Sequence, residues 1–83
     1  MKAYTLKKKR ETEELHLFEG DFTNVKEKKC NSKQISICEK MDKNESEGNL
    51  FFCEDENIAR TKCAQLGRKV CGICVSHLYA TYD

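Results

Sequence analysis

Six cysteines, at positions 30, 38, 53, 63, 71 and 74, are spread through an 83-residue chain, and any fold must place them. A chain of this length makes one domain, near the size at which an apolar core alone supplies only a few kcal/mol and a covalent or metal staple is needed. Hydrophobic residues make up 39% and charged residues 35% of the chain, with no Trp and no Pro, so the core is small and the cysteines are the available compensation.

Three chemistries could employ them. Cys71-Gly72-Ile73-Cys74 resembles the thioredoxin-like Cys-Gly-x-Cys redox motif, but that fold needs strands and helices after the motif, and only nine residues follow Cys74. Disulfides are the second option, although six cysteines allow 15 connectivities and spacing cannot choose among them. The opening MKAYTLKKKRETEE has no apolar segment behind its charges, so a secreted disulfide scaffold is not expected and the reading is cytoplasmic. No apolar run approaches the roughly 20 residues of a membrane span.

The third option is a metal. A Cys-x-x-Cys opening a helix aims both thiolates at one point, and the helix N-terminus favours their ionised form. The other half of the site is read as Cys30, in a turn between two strands and followed by Asn31, which tolerates unusual φ, with His16 on the preceding strand. The expected structural Zn2+ ligands are therefore His16, Cys30, Cys71 and Cys74. Cys38 is the leading substitute, and Cys63, on an apolar helical stripe, reads as a buried thiol. A second site from Cys38, Cys53, Cys63 and His77 is arithmetically open, although His77 reads as a surface histidine.

Coarse patterning gives an α+β domain over residues 1–83: a β-hairpin or three short strands, then two C-terminal helices. Residues 1–12 read as an arm, or as an edge strand over Tyr4 and Leu6. Leu15 and Leu17 alternate with His16 and Phe18 up to Gly20, as in a strand. Two short strands are expected at about 22–29 and 34–40, joined by a turn at Cys30-Asn31-Ser32-Lys33. Residues 42–49 have the chemistry of a flexible loop, after which Leu50, Phe51 and Phe52 return to the core. A helix follows Cys53, with acidic residues first and Gly67 at its end, and Cys71, Val75, Leu78, Tyr79 and Tyr82 space a second one.

The "HL" strand, the lone Cys30 some 14 residues on and the distant Cys-x-x-Cys together resemble small zinc-ribbon or treble-clef-like phage and actinobacterial proteins of unknown function. Those proteins usually have Gly after the hairpin Cys, where this chain has Asn31. The resemblance implies a zinc-stapled fold and, for a phage-encoded protein, a modulator of a host machine acting in the host cytoplasm.

A closed four-ligand site leaves no position for substrate or water, and no nucleophile triad or phosphate loop is present, so no enzyme is expected. Two functions remain. The near-neutral balance of +1 and the acidic 39–56 segment favour docking on a host or regulatory protein, or self-association. The alternative is nucleic acid, held by Lys7, Lys8, Lys9, Arg10, Lys28, Lys29, Arg68 and Lys69, with Tyr4, Phe22 and Tyr79 available for stacking. Phe51, Tyr79 and Tyr82 are the candidate anchors for a protein partner unless they belong to the core.

Overall fold

The computed structural model describes residues 2–80, except the side chain of Ala80. Four antiparallel strands are followed by two helices: β1 (Lys2–Lys9), β2 (Leu15–Asn24), β3 (Lys29–Ser32), β4 (Ser46–Glu54), α1 (Glu56–Leu66) and α2 (Gly72–Ala80). The sheet order is β3-β2-β1-β4, so the first strand in sequence is an inner one. The α+β class with two C-terminal helices is as expected, with one more strand than the sequence reading counted.

The arm expectation for residues 1–12 is corrected by β1. Tyr4 and Leu6 lie on one face and are completely buried against the core, and Lys7, Lys8 and Lys9 continue the same strand. β1 pairs with β2 from Lys2↔Asp21 to Lys8↔Leu15 and with β4 on its other side. Burying Tyr4 and Leu6 contributes about 1.5–3 kcal/mol each, enough to hold a lysine-rich strand inside a sheet.

The expected strand at 34–40 is instead a series of turns, and β3 occupies the expected turn at Cys30. Residues 42–49 are structured too. Asp42 and Glu45 form a reciprocal capping box on a 3-10 turn over Lys43–Glu45, and β4 begins at Ser46.

One sheet face packs under the helices. Tyr4, Leu6, Leu15, Leu17 and Phe51 form a core with Ala59 and Cys63 of α1, Val70, and Cys74 and Leu78 of α2. Asp55 caps α1 by accepting from the Ile58 amide at 2.9 Å, and Gly67, with φ 64, ends it in a conformation that L side chains disfavour. The charged rim is matched across elements. Glu54, nearly buried, receives Lys28 and Lys62 at 2.7 and 2.9 Å, and Glu19 receives Lys2 at 2.7 Å.

The sheet curls strongly. Cys30 of β3 and Cys53 of β4 form a disulfide with Cα atoms 5.5 Å apart, although two strands lie between them in the sheet. A flat sheet would separate those strands by about 14 Å. Gly20 permits the curl at β2, because a Cβ there would overlap the Asn31 carbonyl oxygen and lie 2.8 Å from Ser32 Cα. On β4 a bulge opposite Thr5 places Cys53 at φ 50 and directs it to Cys30.

Candidate metal centre

The centre forms where β2 lacks a partner strand. β3 pairs only with Gly20 to Asn24, so the edge of β2 from Leu15 to Glu19 is left for other segments. Its outward carbonyls accept from three of them in turn: Leu15 from the Cys71 amide at 2.7 Å, Leu17 from Ile37 at 2.8 Å and Glu19 from Lys33 at 2.9 Å. Satisfying this backbone ladder brings the start of α2 and the 36–41 turns beside His16.

Four donors converge there: His16, Cys38, Cys71 and Cys74, whose ligand atoms all lie within 4.8 Å of one another. His16 Nδ1 is 3.2 Å from Cys38 Sγ and 3.8 Å from Cys74 Sγ. Tetrahedral N and S ligands on one ion stand roughly 3.5–3.8 Å apart, so the cluster needs little adjustment to hold one. His16 and Cys74 are buried, and Cys38 and Cys71 half-buried. This His/Cys3 cluster could hold a metal ion.

The surroundings fit a cation. Burial opposes ionisation of Cys38, but the Ser36 hydroxyl, the Lys40 amide and the neighbouring Cys74 and Cys71 thiols outweigh it and lower its pKa. Glu39, between Cys38 and Lys40, has φ 63, which turns the Lys40 amide back onto the sulfur. Burial raises Cys74, with amide bonds from Leu17 and Cys38 only partly offsetting it, and burial lowers His16. Burial thus favours the neutral forms of Cys74 and His16, and a cation among the four side chains would stabilise the Cys74 thiolate instead. His16 Nε2 is buried without a hydrogen-bond partner and lies 3.8 Å from Glu14 Oε1, where a carboxylate can orient a ligating imidazole.

Three of the expected ligand residues, His16, Cys71 and Cys74, are therefore brought together, and the fourth side chain of the cluster is Cys38 rather than Cys30. Register explains the correction. Cys30 pairs with Phe22, six residues (22 − 16) along β2 from His16, or about 20 Å of extended strand. Its sulfur is already bonded to Cys53. That disulfide also removes the second site through Cys53, and Cys63 sits alone on the buried face of α1, where burial pushes its thiol up to about 11. His77 is a surface residue on α2, 3.7 Å from Glu19. Cys38 carried a weak sequence signal, because Glu39 is not a residue that announces a left-handed turn.

The basic residues are mostly spent within the fold. Lys8 reaches Glu13 and Glu47, Lys9 reaches Glu45, and Arg10 donates to the Ser46 carbonyl. Lys28 pairs with Glu54 and Lys29 with Glu27, whereas Arg68 and Lys69 lie on the exposed 3-10 turn after α1. Lys7 is half-buried, and burial first and the charge of Lys43 second lower its pKa. Among the aromatic candidates, Tyr4 and Phe51 are core residues, Tyr79 is exposed beside Arg60, and Tyr82 lies outside the described residues.

Fold and cluster together define a small α+β domain with a His/Cys3 centre between a sheet edge and a helix start. Compared with protein-family models, curated proteins and solved structures, the chain matches none. Among the described residues, no helix is long and apolar enough to cross a membrane.

Proposed function

We propose that this chain is a non-enzymatic module, stapled by one structural Zn2+ on His16, Cys38, Cys71 and Cys74, that acts by docking on a host or regulatory protein. The convergence of those four side chains from β2, the 36–41 turns and the start of α2 carries the reading. Sulfur-rich tetrahedral sets select zinc among common cellular ions, and four protein ligands leave no coordination position for a substrate. The role assigned to the metal is therefore to join three segments that the small core holds weakly.

Charge favours a protein partner over nucleic acid. Lys8, Lys9, Arg10 and Lys28 are occupied by glutamates or backbone carbonyls, which leaves fewer free cations among the described residues to neutralise phosphates. Phe52, Ile73 and Tyr79 are exposed and available to a partner. Native mass spectrometry with and without a strong chelator tests the metal and subunit number together: one zinc per chain is expected, and a metal-free chain that keeps its cooperative melt defeats the proposal. A fluorescence titration with DNA and RNA at low salt should show no steeply salt-dependent binding at micromolar protein.

A further inference from the structure

The curl of the sheet creates a groove that shares no residue with the His/Cys3 cluster. It is floored by the Cys30–Cys53 disulfide, and Lys7, Lys43, Asn31, Asn49, Ser32 and Phe52 stand among its walls around a cavity of about 340 Å³. Among the described residues, no carboxylate lines it. That is unusual in this molecule, where Lys2, Lys9 and Lys28 of the same sheet region each reach a glutamate.

Two ammonium groups are instead held over neutral polar partners. Lys7 Nζ donates to Asn49 Oδ1 at 2.8 Å, and Lys43 Nζ donates to the Ser32 carbonyl at 2.7 Å. Lys7 Nζ also lies over the Phe18 ring, 5.8 Å from its centroid, and each ammonium has N–H donors beyond the one bonded to its oxygen partner. Neither pairs with a carboxylate among the described residues. The Asn31 and Asn49 amides and the Ser32 hydroxyl add neutral hydrogen-bonding groups, and the Phe52 ring, 57% exposed, offers a flat apolar wall.

We propose that this groove binds a small phosphorylated ligand, with its phosphate between Lys7 and Lys43 and a flat group, such as a nucleoside base, against Phe52. Two half-buried cations without a counter-charge are the arrangement an anion completes, and lysine serves phosphate as a compact point charge. A cavity of this volume falls at the small end of ligand pockets and suits a mononucleotide rather than a larger cofactor. Aromatic stacking then makes a nucleotide bind more tightly than phosphate alone.

Titration of the metal-loaded protein with AMP and, separately, with inorganic phosphate tests this by amide NMR. Shifts at Asn31, Ser32, Asn49 and Phe52 are expected with AMP, with phosphate weaker by tenfold or more. Lys7→Gln and Lys43→Gln should each weaken AMP at least tenfold, while Lys69→Gln, away from the groove, should not. Lys43 lies on a short 3-10 turn, so its substitution spares the sheet, and zinc content confirms that each variant is folded. No groove shift at millimolar AMP, equal affinity for phosphate and AMP, or unchanged affinity in Lys43→Gln would overturn the proposal. So would binding confined to DNA or RNA oligomers.

Discussion

Replacing Cys38 by Ser separates the observed centre from one built on Cys30. Structural zinc contributes about 10–16 kcal/mol of apparent binding energy in small domains at neutral pH, and this energy is coupled to folding. One of four ligands then carries roughly 2.5–4 kcal/mol, a loss of zinc affinity of about 60-fold or more, because about 1.4 kcal/mol is a factor of ten. Total stability for a domain is about 5–15 kcal/mol, so the same loss is a large fraction of it. At about 4–8 °C per kcal/mol for this size, Tm should fall by roughly 10–30 °C. The serine hydroxyl keeps the hydrogen-bonding shape of the turn but is a poor zinc ligand, so the loss reports coordination. Competition against a chromophoric chelator gives the affinity, and calorimetry the Tm. Cys30→Ser should leave zinc affinity within a fewfold. If Cys38→Ser keeps full zinc and Cys30→Ser loses it, the register argument fails.

Gly20→Ala should force β3 away from β2, since the new Cβ overlaps the Asn31 carbonyl; at about 1 kcal/mol per strained pairing the cost is roughly 2–3 kcal/mol, read by urea denaturation. Removing the Cys30–Cys53 bond, whose partners are 23 residues apart, should cost about 3 kcal/mol, and a double Ser variant melting like the parent would refute the cross-link. The Lys28 hydrogen bond, acting against burial and with help from Lys62, holds the Glu54 carboxyl below its usual range. For Glu19, burial raises the pKa, but the Lys2 hydrogen bond and the charges of Lys2, Lys33 and His77 lower it further. Both depressed carboxyls contribute stability that is complete above about pH 4.3 and is lost as pH falls through their folded values. Glu54→Gln should therefore flatten the acid limb of a stability–pH profile, and an unchanged limb would count against the pairing.

Local signals carried much of the architecture. Alternation at Leu15–Phe18 marked β2, the acidic start and Gly67 bounded α1, and Cys71-x-x-Cys74 marked the start of α2, so three of the four members of the cluster were readable. What sequence did not show was set by long-range pairing. A run of lysines looks solvated until Tyr4 and Leu6 beneath it are seen to be buried between two strands. The 42–49 stretch looks like a loop until Glu45 and Glu47 are found against Lys9 and Lys8. Cys30 and Cys38 are both single cysteines outside the Cys-x-x-Cys pair, and only strand register places one at the disulfide and the other beside His16.

The nesting of these bonds has a consequence for how the chain matures. Cys38 lies inside the loop closed by Cys30 and Cys53, while its partners His16, Cys71 and Cys74 lie outside it. A chain oxidised before the cluster assembles can join its sulfurs in many wrong ways. With an ion bound, Cys38, Cys71 and Cys74 are masked as ligands, and Cys63 is buried with its thiol held up to about 11, too protonated to attack. Only Cys30 and Cys53 then remain reactive, and they have one pairing available. A bound ion would thus act as a temporal guard on oxidation, and protein refolded with zinc before oxidant should recover a single disulfide isomer where the reverse order gives a mixture.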